Sequence, residues 1–291
     1  MAAGLAFASP WLVGFTVFTL WPVLQSLILS LCEYDVTHPA RYIGLANYAE
    51  ASRDPLFWKS LGNTVFMALW VPVTLAAGLA IALLLDTEVR GMAVWRTLFY
   101  LPAVIPTVAV AVLWVWILNP STGLLNRCLT PLLAPLGLTP PEWLQDEHWA
   151  KPAIVLTLLW AAGGSMVIWL AGLAGIPRTL YEAAVVDGAG PWQRFRRVTL
   201  PMLTPYIFFN LIMGIIAAFQ IFNQALIMTE GGPNHATRFY VLRLFDVAFR
   251  YLQMGYASAM AWILFVMVLG LTLINFVLAP RWVHYEGEAR R

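Results

Sequence analysis

Charge is what this sequence has least of. Of its 291 residues, 11% are Asp, Glu, Lys or Arg, against about a quarter in soluble domains, while 60% are hydrophobic against a usual ~45–50%. That ratio excludes a water-soluble globular chain. The formal net charge is only +2, so there is no basic surplus to attract a phosphate backbone, and nucleic acid is not an expected partner. Cysteine is nearly absent. Cys32 and Cys128 match neither a metal-ligand nor a CxxC spacing and read as small apolar fillers; a disulfide between them stays open only if both face an oxidising compartment. His38, His148, His235 and His284 are scattered without metal-ligand spacing, which leaves no expected metal site. Lysine occurs twice, as Lys59 after Trp58 and Lys151 after Ala150. A phosphate-binding GxxxxGK[ST] loop needs lysine after glycine, so this chain has none.

The gaps between the charges say more than their number. Charge-free runs cover residues 1–32, 60–85, 97–126, 152–177, 198–229 and 251–280. Each exceeds the roughly 20 residues, at about 1.5 Å rise, that cross a hydrocarbon core of about 30 Å. Membrane-spanning strands would alternate apolar and polar over about 10 residues, whereas Val73–Leu85 and Ile263–Leu273 are apolar on nearly every face. The expected fold is an all-α membrane protein, six transmembrane helices in one domain over residues 1–291. The first run follows no Lys or Arg and is too long for a secretory h-region, so it reads as a retained helix. With both termini cytoplasmic, nine Lys and Arg fall inside and eight outside, and the inside segments are shorter and hold the Arg194, Arg196, Arg197 cluster. That orientation puts residues 33–59, 119–151 and 230–250 outside and 173–200 inside.

None of the six runs contains Asp, Glu, Lys or Arg, and all four histidines lie outside them. An ion-coupled carrier would keep such groups within its spans, and an enzyme would need a convergent nucleophile and base. No catalytic residue is therefore expected, and any uphill transport must draw its energy from a partner. An autonomous secondary carrier or a structural subunit of a membrane complex are the alternative functions.

Between the fourth and fifth runs, residues 173–200 carry more local detail than a connector needs. Pro177 suits a helix first turn, Glu182, Ala183 and Ala184 are good helix formers, and Gly188, Gly190 and Pro191 then break the helix. Trp192, Phe195 and Val198 or Thr199 recur at three-residue spacing, as on an interfacial helix. Paired alanines admit a close-approaching surface and an exposed acid orients it; an amphipathic loop resting on headgroups is the alternative on physics alone.

Glu182-Ala183-Ala184, Gly188 six positions on, then Val198 and Leu200-Pro201 resemble the EAA loop of permeases in binding-protein-dependent ABC importers. The sugar branch, of the maltose and glycerol-phosphate type, is suggested by Asp187-Gly188-Ala189, Leu170-Ala171-Gly172-Leu173, Gly231-Gly232-Pro233 and Gly255-Tyr256-Ala257. Asp54-Pro55-Leu56-Phe57-Trp58 and Asn63-Thr64 are similar to that branch's first outer loop. The chain departs from the pattern in Val198, where Ile is usual, and in lacking a basic N-terminal stretch and a large inserted outer domain.

The resemblance implies the type I ABC importer permease fold in a bacterial or archaeal cytoplasmic membrane. It also implies a second homologous permease subunit, an ATPase homodimer that binds the ATP and magnesium, and an extracytoplasmic sugar-binding protein. This chain itself would hold no cofactor. Glu182, Ala183, Ala184, Asp187 and Gly188 become contacts to the ATPase.

For a substrate path the residues offer two stripes. In the fifth run, treated as one helix at about 100° per residue, Asn210, Gln220, Asn223 and Gln224 share an arc of about 140°. Amides donate and accept at once, as a hydroxyl-rich ligand requires, and Phe219 and Phe222 offer rings beside them. In the fourth run Thr157, Trp160 and Gly164 recur at three and four residues. Hydrogen bonding between helices and plain packing are the competing readings of both.

Overall fold

A computed structural model describes residues 2–87 and 89–284. Arg290 and Arg291, two of the cytoplasmic charges counted above, lie outside the described residues. Among the described residues, five helical stretches are long and apolar enough to cross a membrane: Phe7–Ser30 (span 1), Pro55–Leu85 (span 2), Glu147–Ala174 (span 4), Thr204–Met228 (span 5) and Met254–Arg281 (span 6). The remaining charge-free run is not a straight helix. Met92–Val104 and Thr107–Ile117 meet at 98°, and the count reaches six only when this bent pair is taken as span 3. The cause is local: Pro106 has no N–H to continue the helix and its ring pushes Ile105 out of the α region. Both residues are extended, Ile105 at ψ 132° and Pro106 at ψ 135°.

The helix ends are built from side chains the sequence places there. Asp54 caps span 2, its carboxylate accepting from the Leu56 N–H at 2.8 Å with Pro55 following, and Asp146 caps span 4 through the His148 N–H at 2.7 Å. At the other end of span 2, the guanidinium of Arg96 donates to the otherwise orphan Leu85 carbonyl at 2.8 and 3.2 Å. Apart from helices, the described residues contain one small ladder, Cys32–Glu33 antiparallel to Arg41–Tyr42. Cys32 is buried and Cys128 exposed, and both are free thiols.

Lipid is as apolar as leucine, so spans associate by close packing and shared polar contacts rather than by escape from water. Glycines supply the close packing. A Cβ on Gly163 in span 4 would collide with the Phe99 carbonyl of span 3, and one on Gly214 in span 5 would sit 2.6 Å from Val71 of span 2. Four apolar clusters form among the described residues. One holds Met67, Trp114, Ile154 and Phe239, a second Phe57, Tyr240, Tyr256 and Met260, a third Leu85, Trp169, Ile176 and Leu203, and a smaller fourth Phe208, Ala279 and Val283. Phe18, Trp116, Val266 and Val277 are among many large apolar side chains left exposed, a surface that suits lipid or another subunit rather than water.

The loops sort into two ends. Lys59 donates to the Asn234 carbonyl at 2.7 Å, and Asn63 to the carbonyls of His235 and Arg238. The Asn234 amide in turn donates to Glu147 at 3.1 Å. These contacts join segments 33–59, 119–151 and 230–250 at one end. At the other, Tyr181 and Thr199 share a hydrogen bond at 2.9 Å and the His284 N–H donates to the Thr204 hydroxyl at 2.9 Å.

Gly163→Ala should lower thermal stability of the detergent-solubilised chain by about 1–3 kcal/mol, the usual cost of overpacking. Gly62→Ala, where an added Cβ meets nothing within 4 Å, should not. Equal unfolding midpoints for the two variants would contradict the packing described.

Candidate coupling and path sites

The coupling loop is a helix held outward on a buried base. Arg178–Val186 forms a nine-residue helix after Pro177, which sits at the N-cap with φ −59° and ψ 129°. Its end is fixed by a Schellman arrangement: the Gly188 N–H donates to the Val185 carbonyl at 3.0 Å and the Ala189 N–H to the Ala184 carbonyl at 2.8 Å. That turn requires Gly188 at φ +75°, a conformation an L side chain rarely adopts. Gly190 follows with its N–H donated to the Gln193 side chain at 3.0 Å, and Pro191 opens the next helical stretch. Beneath the loop, Leu173, Ile176 and Leu203 are buried, and Tyr181 is tied to the buried Thr199. The Tyr181–Thr199 bond is absent from the sequence reading; the only signal was a tyrosine beside the exposed acid.

The face presented is consistent in chemistry. Glu182, Ala183, Asp187 and Gly188 are exposed and Ala184 is half-buried. Val186 is 87% exposed and Trp192 68%, the latter stacked on Phe195 at 5.5 Å. An open recess of about 500 Å³ is lined by Arg178, Tyr181, Glu182, Val185, Val186 and Arg194. Of the two residues expected to continue the face of Trp192 and Phe195, Thr199 turns inward to Tyr181 and Val198 is half-buried against the Leu173, Ile176 and Leu203 cluster, while Trp192 stays out. The helix widens to a π turn over Phe195–Thr199, which shifts the later residues around the axis.

The two path stripes are altered by helix breaks. Span 5 is α-helical to Phe219, then Gln220 takes φ −108° and ψ 13° and Phe222 φ −136° and ψ −59° before the helix resumes at Asn223. The single arc assumed for four amides therefore does not extend across the break. Asn210 is buried and donates to the Tyr206 carbonyl of its own helix at 2.8 Å. Asn223 donates to the Thr107 hydroxyl at 2.8 Å, tying span 5 to the bend of span 3. Gln220 is exposed and Gln224 half-buried. Neither ring is a free platform: Phe219 is buried, and Phe222 packs on Phe245 at 5.1 Å. In span 4, Thr157 is buried with its hydroxyl on the Ile154 carbonyl at 2.7 Å, and Trp160 lies edge-on to Trp114 at 6.1 Å. A 3₁₀ stretch over Ala161–Gly164 moves Gly164 off the expected stripe, against Ala103 of span 3. A recess of about 220 Å³ lies instead among spans 2, 4 and 5, lined by Trp70, Thr74, Ser165, Gly214 and Ala217.

At the opposite end sits a charge cluster that sequence spacing did not assemble. Asp54 accepts from Arg243 at 3.0 Å and from the Tyr256 hydroxyl at 3.1 Å, besides capping span 2. Asp246, 1% exposed, pairs with Arg238 and Arg250, each at 3.1 Å. Burial pulls the Asp54 carboxyl upward, but the hydrogen bonds from Arg243 and the Leu56 N–H outweigh it and hold it below its ordinary value. Burial, then the charges of Arg238, Lys59 and Arg243, lower the His235 imidazole, which favours its neutral form.

Residues 73–284 match the model of the binding-protein-dependent transport system inner membrane component family. The chain belongs to this family. The match runs from the middle of span 2 to the last described residue and includes the whole coupling loop. As a member, the chain is a membrane permease subunit of such a transport system. It is 45% identical to the probable ABC transporter permease protein YesP of Bacillus subtilis, over 98% of this chain and 93% of that one. It is 33% identical to the lactose transport system permease protein LacF of Rhizobium radiobacter, over 95% and 93%. A crystal structure of a bacterial ABC transporter involved in import of the acidic polysaccharide alginate contains a chain of the same fold. The TM-score is 0.81 at 24% identity, covering 95% of this chain and 94% of that chain.

In this permease, Gly188→Ala should cost about 1–2 kcal/mol at the helix end, because a Cβ is disfavoured in the left-handed region. Amide hydrogen exchange at residues 188 and 189 should quicken about tenfold, while Gly190→Ala, at φ −69°, should leave it unchanged. Unaltered protection in Gly188→Ala would overturn the Schellman assignment.

Proposed function

We propose that this permease forms half of the translocation pore of an ATP-driven saccharide importer and couples to a separate ATPase. A second homologous permease completes the pore, and an external sugar-binding protein delivers the substrate. The observation that carries the coupling role is the outward-held helix Arg178–Val186. An exposed carboxylate at Glu182, small residues at Ala183 and Ala184 and an apolar tip at Val186 make a compact knob on a buried base. Such a knob suits a cleft on a soluble partner. The energy has to come from that partner, since neither Lys59 nor Lys151 sits in a phosphate-binding loop.

The saccharide class is supported by relatives whose names carry lactose, in LacF, and diacetylchitobiose, in the Streptomyces coelicolor protein NgcF at 32% identity. On this reading the end bearing Glu182 is cytoplasmic, the charge cluster faces outside and both termini are cytoplasmic. The amides of Asn223, Gln220 and Gln224 at the span 5 break, with Asn210, Thr157, Trp160 and Gly164 deeper in the bundle, remain the proposed path residues. An interrupted helix supports this, because broken backbone at membrane depth is tolerated where it lines a cavity or is buried in protein.

The test is ATP hydrolysis by the reconstituted complex with its sugar-binding protein, across a panel of saccharides and polyols. Stimulation is expected with at least one saccharide and is abolished by Gly188→Trp with the complex still assembled. Gln220→Leu and Gln224→Leu should depress uptake without loss of assembly. Normal saccharide-stimulated hydrolysis in the Gly188→Trp complex would refute the coupling role.

A further inference from the structure

The connection between spans 3 and 4 is built unlike a water-exposed loop. Residues 119–141 hold a single charge, Arg127, and seven leucines fall between positions 124 and 138. Leu124–Leu133 forms a ten-residue helix, continued by a 3₁₀ turn over Ala134–Leu136. Leu124, Leu132 and Leu136 are 63%, 68% and 70% exposed.

The surface of this helix is divided lengthwise. At about 100° per residue with Leu124 at zero, the half-buried Leu129 and Leu133 and the buried Asn126 lie at roughly 140° to 200° and form the base. On one flank follow Leu125, Leu132, Cys128 and Leu124, from about 100° down to zero, all without charge. On the other flank stand Thr130 and Arg127, at about 240° and 300°, both exposed. Among the described residues no carboxylate pairs with Arg127. A helix with a seated base, one apolar flank and one cationic flank fits a boundary between hydrocarbon and water.

Its height is fixed at such a boundary. The helix starts seven positions after Ile117, where span 3 ends, and the Asn119 side chain closes the turn by accepting from the Ser121 and Thr122 N–H groups, each at 3.0 Å. Underneath, the Asn126 amide donates to the carbonyls of Pro120 and Pro141 at 3.1 and 3.3 Å, and its oxygen accepts from the Trp143 indole at 2.7 Å. Trp143 lies edge-on to Trp149, in the first turn of span 4, at 5.2 Å. The helix is thereby clamped to the end of one span and the start of the next. Trp116 and Trp149, both exposed, mark the same level with indole rings, which gather at headgroups.

We propose that Leu124–Leu133 lies in the headgroup layer, with Leu124, Cys128 and Leu132 among the acyl chains and Arg127 on a phospholipid phosphate. It anchors the ends of spans 3 and 4 at the bilayer surface. The proposal rests on the membrane-spanning fold and not on the importer reading, since a lipid surface meets the helix whatever is transported.

Cys128 is native and exposed on the apolar flank, and Cys32 is buried, so a nitroxide placed on Cys128 needs no substitution. Labels at Leu132→Cys and Thr130→Cys, each in a Cys128→Ser background, report a second apolar position and the polar flank. In the full chain in nanodiscs of phosphatidylethanolamine and phosphatidylglycerol, and again in the assembled complex, collisions with oxygen should exceed those with a water-soluble nickel chelate at positions 128 and 132. The depth read there should be about 5–10 Å below the phosphates, and the nickel chelate should win at position 130. Arg127→Glu should bring the label at position 132 shallower by about 3 Å or more, a third of that depth. Nickel collisions dominating at 128 and 132 would put the flank in water and overturn the proposal. Exclusion of both reagents there would overturn it too, by showing that a second copy or another subunit covers the flank. An unchanged depth in Arg127→Glu would overturn the phosphate contact.

Discussion

Hydrocarbon offers a polar group no water, and that single constraint organises the chain. Inside the spans most polar side chains turn to their own helix, as Thr157 to Ile154, Thr74 to Val71, Ser165 to Ala162 and Asn210 to Tyr206, while Asn223 of span 5 reaches Thr107 of span 3 and Trp262 of span 6 reaches Ser26 of span 1. The charged residues the spans contain, Lys59, Arg96, Glu147, Lys151 and Arg281, sit near span ends rather than in their middles. With most of these polar groups satisfied locally, contact between spans rests mainly on close packing, and small residues admit it where Gly163 lies against the Phe99 carbonyl.

Charge, exiled from the middle, becomes two different devices at the two ends. At the end assigned to the outside, Asp54 takes Arg243 from far along the chain and Asp246 its near neighbours Arg238 and Arg250, and Lys59, Asn63, Glu147 and Asn234 stitch spans 2 and 4 to the loop after span 5. A half-buried pair of this kind fixes geometry more than it adds stability, since desolvation offsets much of the attraction. At the other end the charges stay exposed, and the ordered part is backbone: a helix ended by Gly188 and seated through Tyr181 and Thr199. One end is built to hold elements together, the other to present a surface.

The number and order of spans were legible because absence of charge over a long run has one cause. The coupling loop was legible too, since Gly188 and Pro191 encode its turns by what their backbones allow or forbid. The bend of span 3 was hidden within a uniform apolar run: Pro106 was visible, but proline within membrane helices is common, and only the extended Ile105 shows that this one breaks the helix. The arc of amides in span 5 failed for the same reason. Helical spacing carries no information about whether the helix continues, and it stops at Gln220. The Asp54 cluster was half legible: an Asp-Pro helix start is local, whereas Arg243 and Tyr256 reach it across most of the chain.

The central claim is that the clamped end faces outward and the presented helix inward. It is tested most directly by single cysteines at Val36 and Ala189, each in a Cys128→Ser background, exposed in intact cells to a membrane-impermeant thiol reagent. The account predicts that the Val36 position reacts at once, and that the Ala189 position reacts only after the membrane is permeabilised. Labelling of position 189 from outside, with position 36 protected, would contradict it.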